Sequence, residues 1–157
     1  ESFGWISIAL HWITAVLITV LWVLGRSIEF QEPALMDARR DLHVTLGLLA
    51  WVILAARIAW RFRNPHPRAR GQSEFIHKVA RLIHYLMLAT LGLMLISGPV
   101  LAWWSDPGAF PAETAQLIHS VSANLLLLLV LVHVAGALKH LMFNDDETIA
   151  RIFLPRR

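Results

Sequence analysis

Four long apolar stretches dominate this chain of 157 residues, at about residues 5–24, 42–60, 82–103 and 117–138. Each stretch is close to the ~20 residues that an α-helix needs to cross the hydrocarbon core of a bilayer. Lipid offers the backbone no hydrogen-bond partners, so a spanning segment must be a helix or part of a closed barrel. We therefore predict an all-α integral membrane four-helix bundle, built as one transmembrane domain over residues 1–157.

The composition agrees with this fold class and narrows the chemistry. Hydrophobic residues make up 57% of the chain and charged residues 16%, whereas soluble domains average about 25% charged residues. The chain has no cysteine, which excludes disulfides, iron–sulfur clusters and thiolate-bound metals. The basic residues gather at the ends of the apolar stretches, so we expect no nucleic-acid partner.

The first apolar stretch contains His11 and is not followed by a small-residue cleavage pattern, so we expect no cleavable signal. Because the first residue is Glu, we expect residues to be missing before it.

Lysine and arginine residues predict the orientation of the bundle. They are concentrated in the second connection and in the C-terminal tail, at Arg61, Arg63, Arg68, Arg70, Lys78, Arg81, Lys139, Arg151, Arg156 and Arg157. The first connection has three such residues and the third has none. The positive-inside rule then assigns both termini to the cytoplasm of a multi-pass protein in the bacterial inner membrane. The first and third connections are expected to face the periplasm.

Histidines inside the apolar stretches are the candidate functional residues, because ionisable side chains in a membrane are costly and mark function. His119 and His133 are fourteen residues apart on the fourth stretch, which is only ~40° around a helix and roughly 21 Å along it. His43 begins the second stretch and is expected at the depth of His119. His11 lies in the first stretch and is expected at the depth of His133. Two depth-matched pairs predict iron ligands for two haems, whereas a zinc or copper site would cluster its ligands at one level.

Other residues near these histidines suggest roles beside a haem. Arg57 lies fourteen residues after His43, so it shares that face and offers a cation to the propionates of the deeper haem. Gly47 and Gly136 lie about one turn from His43 and His133, where a missing side chain lets a porphyrin approach the backbone. A single histidine in a membrane helix more often forms hydrogen bonds or relays protons. That alternative stays open for each histidine alone.

Short motifs around these residues resemble the bacterial cytochrome b561 family over almost the whole chain. They are Ser-Ile-Ala-Leu-His-Trp around His11, Leu-His-Val-Thr-Leu-Gly around His43, Ala-Ala-Arg ending at Arg57, Gln-Leu-Ile-His ending at His119, and Val-His at His133. The resemblance implies two b haems, each held by two histidines, and electron exchange with ubiquinone. One branch of the family is similar to superoxide oxidase, which takes electrons from periplasmic superoxide. On that reading the chain is a superoxide:ubiquinone oxidoreductase, and Arg26, Arg39 and Arg40 steer the superoxide anion toward the outer haem.

We expect the quinone near the inner haem, in the cytoplasmic half. The residues predicted there are His77, Arg81, His84, His140, Trp12 and Trp60. His140 also shares a face with His133, and its replacing His133 as a ligand stays open. The alternative function is a passive electron-conducting or anchoring subunit that serves another redox protein, including a periplasmic partner. Hydride chemistry is not expected, because the chain has no glycine-rich nucleotide loop.

Overall fold

The computed structural model describes residues 4–64, 73–104 and 110–143, and within these ranges the regular structure is helical. The helices are α1 (Trp5–Ser27), α2 (Pro33–Arg63), α3 (Glu74–Trp103) and α4 (Phe110–Phe143), with a short 3₁₀ turn at Ile28–Phe30. All four α-helices are long and apolar enough to cross a membrane. This confirms the predicted all-α membrane-spanning fold. The orientation of the termini stays a prediction, and the basic tail lies outside the described residues.

The observed helices extend beyond the predicted apolar stretches. Helix α2 begins at Pro33 rather than near Leu42, so Arg39 and Arg40 are helical and not part of a loop. Proline favours the first helical turn, because it has no N–H to leave unpaired there. Helix α3 begins at Glu74, where the Ser73 hydroxyl caps the helix by accepting from the Ile76 N–H at 3.3 Å. Hydropathy marks where a helix enters lipid, and it does not mark where the helix ends in the interface.

Contacts between helices define an up-down-up-down bundle. Helix α3 packs most extensively against α4, α1 packs against α2, and α2 also packs against α3. Late residues of one helix meet early residues of the next, as Gly25 meets His43 and Gly98 meets His119. Phe62 near the end of α2 likewise stacks on Tyr85 early in α3, with ring centres 6.2 Å apart. Consecutive helices are therefore antiparallel.

The interior of the bundle is small and partly polar, and its outside is apolar. The buried apolar cluster consists of Ala50, Leu54, Leu91 and Leu126. Among the described residues, five polar or charged ones are also buried, namely Thr14, Arg61, Thr90, Ser97 and Ser122. Large aliphatic side chains such as Val16, Val52 and Ile96 are at least 60% exposed. This pattern suits a lipid solvent, where small and polar residues hold helices together and apolar ones face outward.

A proline inside α3 is compensated by a neighbouring helix. Pro99 has no N–H, so the carbonyl of Leu95 loses its helical hydrogen bond. The indole N–H of Trp51 on α2 donates to that carbonyl at 2.8 Å. An unpaired carbonyl in lipid costs several kcal/mol, so this bond stabilises the α2–α3 contact at the level of the Ser97–Gly98–Pro99 segment.

Candidate functional site

The outer pair, His43 on α2 and His119 on α4, brings together two of the predicted ligands. Their ring centres lie 6.3 Å apart, and both side chains are half-buried. Each ring lies against a glycine of a neighbouring helix: Cε1 of His43 is 3.0 Å from where a Cβ on Gly25 would be, and Cε1 of His119 is 3.5 Å from that of Gly98. Both rings therefore occupy space that a side chain would fill.

The hydrogen bonds of the outer pair differ between the two rings. Nδ1 of His119 lies 3.0 Å from the Ser97 hydroxyl. Nδ1 of His43 is buried and has no hydrogen bond of good geometry within the described residues, although the Leu21 carbonyl interacts with this ring. If a group binds this ring at Nε2, Nδ1 is protonated, and the Leu21 carbonyl is the acceptor to which it can donate.

The inner pair, His11 on α1 and His133 on α4, has ring centres 6.4 Å apart. Arg57 lies beside this pair, with its Nη2 3.4 Å from Nδ1 of His11. Sequence reasoning predicted Arg57 at this level, and the structure does bring it there. Its contact is with His11 itself, and it makes no ion pair with a carboxylate in the described part of the chain.

A third histidine joins the inner pair. The ring of His84 on α3 is 4.9 Å from the ring of His133. Its Nδ1 lies 2.7 Å from the Ala80 carbonyl, which can only accept, so Nδ1 donates. The sequence predicted His84 near the inner haem, and it did not reveal this ring contact with His133. Across residues 4–64, 73–104 and 110–143, no group of three or more His, Asp or Glu side chains is arranged to hold one metal ion.

Both pairs suit two imidazoles that share one iron. With about 2.0 Å from metal to imidazole nitrogen and about 1.1 Å more to the ring centre, rings on opposite sides of one iron have centres about 6.2 Å apart. The observed separations are 6.3 Å for the outer pair and 6.4 Å for the inner pair. The 4.9 Å separation of His84 and His133 is too short for this arrangement. The donor set and the ring separation of each pair therefore fit a haem with two histidine ligands.

The three arginines predicted to steer an anion differ in their surroundings. Arg40 pairs with Asp37 at 3.0 Å, and Arg26 pairs with Glu29 at 3.7 Å. Arg39 makes no ion pair with a described carboxylate and is half-buried, one turn before His43 on α2. Nearby carboxylates therefore offset Arg26 and Arg40, which leaves Arg39 as the strongest of the three candidates.

The residues predicted near a quinone are brought together only in part. Trp12 lies 5.4 Å from the His11 ring, and the Trp60 indole N–H donates to the Ser7 hydroxyl at 2.9 Å, one turn from His11. The Arg81 guanidinium is 6.0 Å from the centre of the Tyr85 ring. His77 is half-buried early in α3. The side chain of His140 lies outside the described residues.

The structure also reveals contributors that sequence reasoning missed. Gly25, Gly98 and Ser97 all contact an outer histidine, whereas the predicted Gly47 would meet only Leu21, at 3.9 Å. No described residue lies within 4 Å of a Cβ on Gly136, so the approach of a porphyrin there stays a prediction. The Ser97–Gly98–Pro99 run inside an apolar helix was a usable signal. Gly25 had none, because a lone glycine in an apolar stretch does not indicate which residue it meets.

Comparison with known proteins agrees with this architecture. A profile described as prokaryotic cytochrome b561 matches residues 2–155. "Cytochrome b561 homolog 2" of Escherichia coli K12 is 28% identical over 97% of this chain and 91% of its own length. "Cytochrome b562" of Cereibacter sphaeroides is 29% identical over 96% of this chain and 94% of its own length. A Yersinia pestis protein named "Probable superoxide oxidase CybB" is 20% identical over all of this chain and 98% of its own length.

Proposed function

The chain belongs to the prokaryotic cytochrome b561 family of membrane electron-transfer proteins, and from this premise we propose that it is a superoxide:ubiquinone oxidoreductase with two b haems. Membership implies that a b haem is bound, and the four spanning helices indicate a multi-pass bacterial membrane protein. The number of haems, the donor, the acceptor and the inner-membrane location belong to the proposal. The relative named as a probable superoxide oxidase supports the choice of donor.

The spacing of the two histidine pairs carries the proposal. Ring centres 6.3 and 6.4 Å apart match two imidazoles on one iron at two separate levels. One helix, α4, contributes a histidine to each pair, and these lie roughly 21 Å apart along its axis. Two such levels provide a route across most of the ~30 Å hydrocarbon core. One pair alone would leave half of that distance without a redox centre.

A b haem held by two histidines supplies one-electron chemistry without an open position on the iron. In the proposed reaction, two superoxide anions each lose one electron and leave as O₂. One ubiquinone gains these two electrons and takes two protons from the cytoplasmic side to become ubiquinol. The protein would have to attract superoxide on the periplasmic side and bind the quinone on the cytoplasmic side. Between these two sites it would hold the haems with its histidines.

At the inner pair, Arg57 would have to change partner when a haem binds. An imidazole that binds metal through Nε2 has its proton on Nδ1. The Arg57 guanidinium can only donate, so its 3.4 Å contact with Nδ1 of His11 selects the opposite tautomer. His11 becomes a ligand only once Arg57 turns to another acceptor, and a haem propionate is the acceptor that we propose.

At the outer side, Arg39 is the proposed steering residue. It precedes His43 by four residues on one helix face and has no ion-pair partner among the described carboxylates. A single charge about 8 Å from the anion in water contributes about 0.5 kcal/mol, which is roughly twofold in local concentration. The effect is therefore modest, and salt should remove it, because the Debye length falls from about 10 Å at 0.1 M to about 3 Å at 1 M.

At the inner side, the proposed quinone site uses residues around His133. Trp12 and Trp60 would offer an apolar wall, and Arg81, His77, His84 and His140 would offer hydrogen bonds to the quinone carbonyls. His84 and Trp12 support this by their contacts with His133 and His11 respectively. This site is proposed as one region at the level of the inner pair.

Stopped-flow mixing of the oxidised, haem-loaded protein with superoxide tests the donor. We expect rapid haem reduction in the parent, about twofold slower reduction in Arg39→Gln at low salt, and little difference between the two at 1 M salt. The matched control is Arg63→Gln, which removes the same charge from the opposite end of the same helix and should leave the rate unchanged.

Two outcomes would contradict the proposal at different points. If Arg39→Gln reacts as fast as the parent at low salt, the cationic route is discarded and superoxide reaches the haem by another path. If the parent retains both haems and superoxide does not reduce them, the enzyme assignment is wrong. Haem reduction only in the presence of a periplasmic redox protein would then favour the passive conduit.

A further inference from the structure

We propose that Ser97 is a positioning residue that holds His119 with its Nε2 lone pair ready for iron. The proposal rests on the haem-binding role of His119 in the proposed function. It concerns a side chain on α3, the helix that contributes neither ligand of the outer pair. If the proposal holds, the buried Ser97 hydroxyl sets the basicity of His119 and thereby the reduction potential of the outer haem.

The direction of the hydrogen bond follows from the contacts of Ser97. Its hydroxyl lies 2.8 Å from the Leu93 carbonyl, with a weaker contact of 3.5 Å to the Met94 carbonyl. Carbonyls only accept, and a serine has one proton to donate. Because the Ser97 O–H donates that proton to the Leu93 carbonyl, the Ser97 oxygen can only accept across its 3.0 Å contact with Nδ1 of His119. Nδ1 of His119 therefore has the proton, and Nε2 has the lone pair.

At metal sites in proteins, an oxygen atom often accepts the free N–H of a metal-bound histidine, as Ser97 does for His119 here. Ligating histidines commonly donate their second N–H to an oxygen, which fixes the tautomer and makes the ligand more basic. Ser97 is only 3% exposed, so water does not compete for His119. Gly98 leaves room for the ring, and the bond from Trp51 to the Leu95 carbonyl holds this part of α3 beside the proline.

A purely structural role for the hydroxyl can be separated from a ligand-positioning role. Buried serines and threonines in membrane helices often bond back to the carbonyl four residues earlier. Thr90 on the same helix does this, with bonds of 2.9 Å to Leu86 and 3.0 Å to Met87, and it is 4% exposed. Thr90 is therefore the matched control: it has the same chemistry, helix and burial, and its hydrogen bonds go to backbone carbonyls.

Redox titration and electron paramagnetic resonance of the haem-loaded variants test the proposal. The outer signal is assigned first, as the one that His119→Ala loses. In Ser97→Ala, a less basic His119 stabilises the oxidised iron less, so the reduction potential of the outer haem should rise. We expect a three- to tenfold change in the ratio of reduced to oxidised haem, which is about 30 to 59 mV at 59 mV per tenfold. The inner haem should not change, and Thr90→Ala should match the parent.

Ser97→Cys and Ser97→Thr complete the series. The thiol accepts weakly and should give a smaller rise in potential, and the threonine hydroxyl should restore the parent value. Selective loss of the outer haem in Ser97→Ala, with Thr90→Ala intact, would also support the proposal. It is overturned if Ser97→Ala leaves the outer potential and resonance unchanged, or if both haems shift equally in Ser97→Ala and Thr90→Ala. A parent that superoxide cannot reduce would refute the enzyme assignment without affecting this result.

Discussion

Replacing Gly25 by alanine should weaken the outer haem selectively. A Cβ at this position would lie 3.0 Å from Cε1 and 3.3 Å from Nδ1 of His43. Non-bonded carbons settle at about 3.5 to 4.0 Å, so the ring must retreat by roughly 0.5 Å. Residues of a binding site have to be held within about 0.5 Å of their productive positions, so this displacement reaches the limit. In the haem-free protein the His43 ring can turn away from the new methyl group, whereas a bound iron would fix its position. The steric strain therefore exists only in the haem-bound state, and it lowers the affinity for the haem.

The size of the loss follows from known costs of overpacking. Extra methyl groups in a packed interior cost about 1–3 kcal/mol. At 1.4 kcal/mol per tenfold, this corresponds to roughly 5- to 150-fold weaker binding of the outer haem. Alanine also favours the helix over glycine by up to about 1 kcal/mol. That gain applies with and without haem, so it does not restore the affinity.

Titration of the haem-depleted protein, followed by Soret absorbance and by final haem stoichiometry, measures the effect. Gly92→Ala is the matched control, because nothing lies within 4 Å of its new methyl group and its haem affinity should equal that of the parent. Gly98→Ala meets His119 at an ordinary 3.5 Å and should change affinity by no more than about threefold, which is under 1 kcal/mol. An outer haem bound to Gly25→Ala as tightly as to the parent would refute His43 as its ligand in the observed ring position.

Two further variants test the assignment of the levels. The pyridine haemochrome assay should find two haems per chain in the parent and one in His119→Ala, and the absorption spectrum of the inner haem should be preserved. One haem in the parent, or loss of both haems in the variant, would contradict the pairing by depth. His140→Ala should slow quinone reduction several-fold and leave superoxide-driven haem reduction unchanged, because its proposed contact is with the quinone and not with the outer pair. Unaltered quinone kinetics would remove His140 from the proposed site, and the loss of the inner haem instead would indicate that it replaces His133 as the ligand.

The level of each of the four paired histidines was predictable from simple geometry. His119 and His133 share a helix face because fourteen residues are nearly four turns. Antiparallel helices then bring His43 to one level and His11 to the other, and the structure has ring centres 6.3 and 6.4 Å apart at these levels. The depth of a residue in a membrane helix can be predicted in this way because the bilayer sets both the length of each helix and the direction of the next.

The fold class and the order of the helices therefore follow from the sequence alone, since hydropathy in lipid leaves few alternatives. The sequence also indicated which histidines share a level. The surroundings of each ring come instead from tertiary packing, which brings Gly25 and Ser97 to the outer pair and His84 to His133. These contacts join residues far apart in the chain, and they depend on how each helix is rotated about its axis. Rotation is decided by side-chain packing between helices, because lipid contacts every apolar face alike.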